Sequence, residues 1–90
     1  MDFEWDPLTA AANVRKHGVT FDEAATVFLD ELAVSGHDPN HFTRAARYIT
    51  FGASSLGRLP AVSQTHRSAA IRIISARRVT RLERKIYEEG

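Results

Sequence analysis

The spacing of hydrophobic and polar residues predicts a short strand and two helices at the start of the chain. Residues 3–5 alternate apolar and polar side chains, as a short edge strand does. An aspartate followed by proline is typical of a helix start, and this predicts a helix from Pro7 to about His17. Thr20 and Glu23 have the spacing of a capping box, in which each side chain bonds the other's backbone amide, so a second helix is predicted there.

After residue 31 the pattern changes to that of β-structure and then returns to a helix. Short strands joined by turns predict an antiparallel meander, with Pro60 at a strand start or a bulge because proline cannot donate to the ladder. Thr80 and Glu83 repeat the capping-box spacing and predict a last helix with Leu82 and Ile86 facing inward. The predicted elements between these helices are a strand from Leu32, a loop over 36–40, strands over 47–51, 59–65 and 70–76, and a turn over 53–57.

Length and composition limit the possible architecture. The chain has 90 residues, 43% of them hydrophobic, which is enough for one core and too short for two domains. We therefore predict one α+β domain over residues 1–90, with two N-terminal helices and a C-terminal helix packed against an antiparallel sheet. The absence of cysteine excludes disulfides, thiolate metal sites and cysteine nucleophiles, and fits a reducing compartment. With no signal-peptide pattern and no long apolar run, a cytoplasmic protein without a membrane segment is expected.

Charge is distributed unevenly along the chain. Residues 1–45 hold three basic and eight acidic residues, a balance of −5, whereas residues 46–90 hold nine basic and three acidic residues, a balance of +6. Between Arg58 and Lys85 eight basic residues accompany a single acidic one. This asymmetry predicts contact with nucleic acid, and a merely solvated basic surface is the alternative.

Few patterns point to other chemistry. The chain has no glycine-rich phosphate loop and no nucleophile elbow. His37 and His41, with Asp38 between them, have too few ligands for a convincing metal site, and we predict none.

The strand predicted over 70–76 and the two residues after it carry several of the arginines. Guanidinium groups on an open sheet face would suit bidentate contacts to RNA phosphates. Whichever face packs on the helices, the other carries at least one arginine. A regular strand would place Ile71, Ile73, Ser75 and Arg77 on one face, and Arg72, Ile74, Ala76 and Arg78 on the other.

Two separated segments resemble the BrnT toxins. The first contains Phe3-Glu4-Trp5-Asp6-Pro7, Ala11, Asn13, Lys16-His17-Gly18-Val19, Phe21, Glu23-Ala24 and Val27-Phe28. The second contains Ile71-Arg72-Ile73-Ile74-Ser75-Ala76-Arg77, followed by Thr80, Glu83 and Tyr87. The resemblance implies a RelE-like ribonuclease of a type II toxin–antitoxin system that arrests translation, without a cofactor. It also implies neutralisation by a BrnA-like ribbon-helix-helix antitoxin, with operator DNA bound only through the antitoxin complex and the ribosome as a possible partner.

The chemistry implied by the resemblance is metal-independent attack of the ribose 2′-hydroxyl on the scissile phosphate. It needs a base, an acid, and cations that stabilise the charge on the phosphoryl oxygens. Arg72 and Arg77 are predicted to supply the charge. The candidates for proton transfer are Lys16, His17, Glu83 and Tyr87, and a tyrosine beside several arginines is expected to have a lowered pKa. The residues predicted to bind RNA are Arg58, Arg67, Arg78, Arg81, Arg84 and Lys85.

Each candidate also has a purely structural interpretation. His17 can stabilise the helix dipole as a terminal cation, and Glu83 can serve only the capping box. Tyr87 can simply pack one turn after Glu83, and Arg77 can pair with the acidic N-terminal half. Ser75 is interpreted as a packed small residue and not as a nucleophile.

The sequence departs from the family pattern in one strand. Gln64 stands where the family commonly has histidine, and His66 lies two positions on, on the same face of a regular strand. Arg67-Ser68 replaces the usual Arg-Gly turn, and Pro60 interrupts a β-branched run. Glutamine cannot transfer a proton, so if the family histidine matters, either His66 has taken over its role or this toxin is attenuated. Two other hypotheses stay open: a non-catalytic nucleic-acid-binding module, and an attenuated toxin that only captures its antitoxin.

Overall fold

Three α-helices and five β-strands form the described part of the chain, residues 1–38 and 46–90, in a computed structural model. The α+β class predicted from the sequence is confirmed. The elements in chain order are β1 (Asp2–Glu4), α1 (Pro7–His17), α2 (Phe21–Thr26), a 3-10 turn (Val27–Leu29), β2 (Val34–His37), β3 (Tyr48–Phe51), β4 (Pro60–Arg67), β5 (Ala70–Arg78) and α3 (Arg81–Glu89).

The sheet is mixed, and the prediction of an antiparallel sheet was wrong at one edge. The strand order is β1-β5-β4-β3-β2, and β1 runs parallel to β5 while the other neighbours are antiparallel. Sequence proximity predicted the meander but not this pairing, because β1 joins the strand most distant from it along the chain. Aromatic contacts hold β1 there, since the ring of Phe3 lies 5.4 Å from that of Phe28 and Trp5 lies edge-on to Phe21.

The first two helices begin where the capping residues predicted. Asp6 accepts a hydrogen bond from the Thr9 amide at 3.0 Å, and α1 ends at Gly18, whose φ of 71° is a left-handed conformation that favours glycine. Thr20 caps α2 by accepting from the Glu23 amide. The predicted reciprocal half of that capping box was wrong, because the Glu23 carboxylate bonds Arg58 and Ser54 instead.

The core lies between the two N-terminal helices and one face of the central strands. Its apolar side chains are at most 2% exposed, so the central strands are shielded on this side. The buried cluster consists of Val19, Phe21, Ala24, Val27, Val62, Ile73 and Ala76.

A β-bulge in β5 changes which side chains share a face. Gln64 is opposite Ile73 and Ser63 is opposite Ser75, so Ile74 is an extra residue. The regular alternation predicted for this strand was therefore wrong beyond Ile73, since Ile73 and Ala76 both lie in the core. As a consequence, Arg72 and Arg77 fall on the same sheet face, away from the core, which strict alternation did not allow.

The edge of β5 beyond β1 is closed by one side chain. Asn13, 6% exposed, donates through Nδ2 to Val19 O at 2.9 Å and to Ala76 O at 2.8 Å. Its Oδ1 accepts from the Ala76 amide at 3.1 Å. The side chain thus satisfies backbone groups that a neighbouring strand would otherwise pair, and it fixes α1 against β5.

The C-terminal helix is held by polar contacts, and the prediction that Leu82 and Ile86 face inward was wrong. Leu82 is 66% and Ile86 is 44% exposed. Glu83 and Tyr87, one turn apart, face the body of the protein instead, through hydrogen bonds to Arg77 and Asp30. The capping box of Thr80 and Glu83 is confirmed, with both of its hydrogen bonds present.

Several strand boundaries also differ from the sequence prediction, and β4 and β5 each extend two residues beyond their predicted ends. The strand predicted from Leu32 begins at Val34, and it continues to His37, so that the first part of the predicted loop is strand. The rest of that loop, residues 39 and 40, lies outside the described residues. The predicted turn over 53–57 is confirmed, closed by the Ser54 amide on Arg58 O at 2.8 Å, and Pro60 begins β4 as predicted.

Candidate active site

Several residues predicted to be catalytic meet at the bulge. Two adjoining hollows of about 100 and 210 Å³ share Thr9 and Ile74 and form one shallow groove between α1 and the edge of β5. Arg72 lines one end of this α1–β5 groove, and Lys16 and His17 line the other. The remaining lining residues are Asp6, Ala12, Asn13, Ile73 and Ser75.

Arg72 is oriented by a carboxylate and keeps capacity for a ligand. Its Nη1 donates to Glu4 Oε2 at 2.9 Å, in line with the pairing of Glu4 beside Arg72 in the β1–β5 register. A guanidinium has five N–H donors, so one such bond leaves others for phosphate oxygens. Arg67, one of the predicted RNA-binding residues, lies 3.9 Å from the same carboxylate and is largely exposed.

Lys16 and His17 reach the groove because α1 ends there. Together with Arg15 they form a basic last turn, where cations interact favourably with the helix dipole. The dipole accounts for the charge in this turn, and the contact with the groove places both side chains opposite β5. The structural interpretation of His17 and the catalytic one are therefore compatible.

Arg77 and Glu83 form a bidentate pair where β5 meets α3. Arg77 donates to both carboxylate oxygens, at 2.8 and 3.0 Å, and this lowers the pKa of Glu83 despite its partial burial. The ion pair also raises the pKa of Arg77. Glu83 is thus held ionised, and it is also the capping-box partner of Thr80. The structural interpretation of Glu83 is confirmed, and its catalytic role stays a prediction. The carboxylate that pairs with Arg77 comes from α3 and not from the acidic N-terminal half.

Tyr87 lies away from the arginines that were expected to activate it. Its hydroxyl donates to Asp30 Oδ2 at 2.6 Å, and this hydrogen bond raises the pKa of Tyr87 and lowers that of Asp30. The expected lowering of the tyrosine pKa was wrong, because the nearest charged partner is a carboxylate. Asp30 also accepts from the Ala53 amide, which connects α3 to the turn between β3 and β4.

Three of the predicted RNA-binding arginines line a separate cleft of about 260 Å³. Arg58, Arg78 and Arg84 face it, beside Gly57 and Leu59. The guanidinium of Arg58 is engaged by the buried Glu23 carboxylate and donates to Gly18 O at 3.1 Å. This pairing lowers the pKa of Glu23. Arg58 therefore joins the end of α1 to the β3–β4 turn, while Arg81 and Lys85 lie exposed on α3.

A larger cavity, of about 530 Å³, lies on the helix-bearing side of the sheet and was missed by sequence reasoning. Gln64 and His66 both line it, which confirms that they share a face. Their two-residue spacing was the available signal, but the contribution of Tyr48 depends on the β3–β4 register. We call this the aromatic cavity, and its lining residues are Met1, Phe28, Ser35, Tyr48, Gln64, His66 and Ile71.

No cluster of three or more metal-ligating side chains occurs within residues 1–38 and 46–90. Of the two histidines considered for a metal site, His37 packs against Tyr48 with the two rings tilted and their centroids 4.7 Å apart, and His41 lies outside the described residues. None of the described helices is long and apolar enough to span a membrane.

Comparisons with known proteins address the fold and the family of this chain. The sequence profile described as "Ribonuclease toxin, BrnT, of type II toxin-antitoxin system" matches residues 5–83. The fold is similar to the 1.1 Å crystal structure of the Brucella abortus ribonuclease toxin BrnT, with a TM-score of 0.65, 23% sequence identity, and coverage of 90% of this chain and 99% of that one. No protein of curated function is significantly similar in sequence. Since the profile spans most of the sequence, the chain belongs to the BrnT family of ribonuclease toxins of type II toxin–antitoxin systems.

Proposed function

We propose that this protein is a metal-independent endoribonuclease that cuts RNA in the α1–β5 groove by attack of the ribose 2′-hydroxyl on the scissile phosphate. The bulge at Ile74 is the observation that carries the proposal. It brings Arg72 and Arg77 to one sheet face, and the groove beside it holds Lys16 and His17. Arg72, a candidate for charge stabilisation, and His17, a candidate for proton transfer, therefore line one groove of this chain.

The residues divide between charge and proton transfer. Arg72 and Lys16, at the two ends of the groove, bind phosphates of the RNA, and Arg77, on the same sheet face as Arg72, stabilises the charge that develops on the phosphoryl oxygens. His17 transfers a proton, because an imidazole both accepts and donates protons near neutral pH.

The two residues of α3 have different parts in this proposal. Glu83, already ionised, orients Arg77 and is a second candidate for the base. Tyr87, whose pKa is raised, holds α3 on Asp30, and proton transfer by this residue stays a prediction.

The wider biological role follows from the family. We propose that cleavage inhibits translation in the cytoplasm, on free or ribosome-bound RNA, and that the fold is RelE-like. A BrnA-like ribbon-helix-helix antitoxin neutralises the toxin, and operator DNA is bound only by the complex. The two exposed apolar residues of α3, Leu82 and Ile86, are suited to contact such a partner.

The test is an RNA cleavage assay with purified protein in the presence of EDTA. We expect cleavage to continue and the products to carry 2′,3′-cyclic or 3′-phosphate ends, because the 2′-oxygen is the nucleophile. Cleavage that returns only when a divalent metal is added would contradict the mechanism. Intact RNA together with salt-sensitive RNA binding would favour the non-catalytic module. That alternative agrees with the ion pairs of Arg58 and Arg77, whose guanidinium groups are engaged by carboxylates.

A further inference from the structure

The aromatic cavity contains a buried polar atom without a partner. Gln64 is 2% exposed, and its Oε1 has no hydrogen-bond partner among residues 1–38 and 46–90. An unpaired buried carbonyl oxygen is costly, and Gln64 lines the cavity, so a ligand there that donates a hydrogen bond would satisfy this atom.

The amide of Gln64 is fixed in place by neighbouring side chains. Its Nε2 donates to the Thr50 hydroxyl at 2.6 Å, and Thr50 in turn bonds the Ser35 hydroxyl at 2.7 Å. One N–H of the amide is therefore bonded within the protein, and this bond holds the side chain with Oε1 unpaired.

Aromatic rings form a continuous surface beside this acceptor. Tyr48 is opposite Gln64 in the β3–β4 register. The Tyr48 ring lies 4.7 Å from that of His37 and 5.1 Å from that of His66, and Phe28 and Ile71 contribute apolar walls. Planar heterocycles stack on such surfaces.

The charge and size of the cavity narrow the ligand further. Among the described residues that line it there is no Lys, Arg, Asp or Glu, which favours an uncharged ligand over a phosphate or another strongly charged group. A volume of about 530 Å³ lies within the range of small-ligand sites. The lining residues thus suit a flat, neutral, heteroaromatic group with an N–H on its edge.

We propose that the aromatic cavity binds a nucleobase, which stacks on Tyr48 and donates an N–H to Oε1 of Gln64. Every RNA base has such a donor on its pairing edge, so the shared chemistry is an unpaired base from RNA or from a free nucleotide. The site is distinct from the α1–β5 groove, because none of the residues that line the cavity also lines the groove.

The binding experiment uses the purified full chain and isothermal titration with matched ligands. Adenosine is compared with N6,N6-dimethyladenosine, and uridine with 3-methyluridine, since methylation removes the donor and leaves the ring. We expect at least fivefold weaker binding of each methylated ligand. Equal binding within each pair, or no binding of any nucleoside or base of RNA, would overturn the proposal.

Variants locate the binding and distinguish its source. Gln64→Leu is expected to remove the difference in affinity between each nucleoside and its methylated counterpart. Tyr48→Phe is expected to retain nucleoside binding, and Tyr48→Ala to weaken it at least fivefold. Arg15→Ala, outside the cavity, is expected to leave nucleoside binding unchanged. If Gln64→Leu folds poorly, the Tyr48 variants and the methylated ligands still test whether the cavity binds a nucleobase. A short, uniformly 2′-O-methylated RNA is then tested as a competitor of bound adenosine. Displacement of adenosine shows that the cavity takes a base of RNA, and no displacement shows that it takes free nucleotides.

This readout is independent of the proposed reaction. Nucleoside binding without RNA cleavage would refute the ribonuclease proposal alone, whereas cleavage without nucleoside binding would refute the cavity proposal alone. Occlusion of the cavity by a side chain of a partner protein, with no nucleoside bound in the free toxin, would also overturn it.

Discussion

Replacing Arg72 by alanine is expected to lower the rate of RNA cleavage by roughly 100-fold or more, the usual cost of losing one positioned electrostatic donor. Arg72 lines the α1–β5 groove, and its Glu4 partner aims the guanidinium without occupying all its donors. Arg72→Lys keeps the charge but loses the planar fork, so an intermediate rate is expected. The measurement is the single-turnover cleavage rate of a defined RNA at fixed ionic strength.

The control for Arg72 is an exposed arginine in the last turn of α1. Arg15→Ala removes the same charge from α1, one residue before Lys16, but Arg15 does not line the groove. Its cleavage rate is expected to stay within about twofold of wild type, while both alanine variants keep nearly the same melting temperature, because exposed ion pairs contribute about 1 kcal/mol or less. Equal losses in the two variants would reduce the role of Arg72 to general surface charge.

Asn13→Ala is expected to cause the largest loss of stability, about 3 kcal/mol. The substitution removes three hydrogen bonds and leaves the amide and carbonyl of Ala76 unpaired at the edge of β5. For a domain of this size, such a loss lowers the melting temperature by roughly 10–20 °C. Thermal unfolding followed by circular dichroism measures it.

The matched control for Asn13 is Val14→Ala on the next position of the same helix. Val14 is 41% exposed, so its truncation is expected to shift the melting temperature by less than about 4 °C. A shift of that size for Asn13→Ala would mean that water replaces the side chain at the strand edge.

Local signals in the sequence predicted most of the helix boundaries. The Asp6 N-cap, the left-handed Gly18 and the capping box at Thr80 all act within one turn, so they can be identified without tertiary context. The inward-facing prediction for Leu82 and Ile86 failed because it assumed that an apolar pair must be buried. In α3, hydrogen bonds from Glu83 and Tyr87 determine which side faces the protein.

The features that define the candidate site depend on pairings between distant segments. No local pattern indicates that Ile74 is an extra residue, because a bulge is defined by the register of β4 against β5. The parallel pairing of β1 likewise requires a partner almost 70 positions away, as in the pairing of Phe3 with Ile71. Sequence therefore identified Arg72 and Arg77 as individual candidates, and only the bulge places them on one face.

The aromatic cavity illustrates a different limit. Gln64 and His66 stood out as departures from the family pattern, and that observation raised doubt about proton transfer. Their shared cavity with Tyr48 gives the pair another interpretation, since an amide is suited to hydrogen-bond recognition even though it cannot transfer a proton.

A crystal structure with a short, uniformly 2′-O-methylated RNA tests most directly whether RNA is bound and cut in the α1–β5 groove. Methylation blocks attack by the 2′-oxygen while it keeps the phosphates available for binding. We expect RNA to lie along the groove, with phosphate oxygens within about 3 Å of the guanidinium of Arg72 and of the imidazole of His17. RNA bound in the cleft of Arg58, Arg78 and Arg84, with the groove empty, would contradict it.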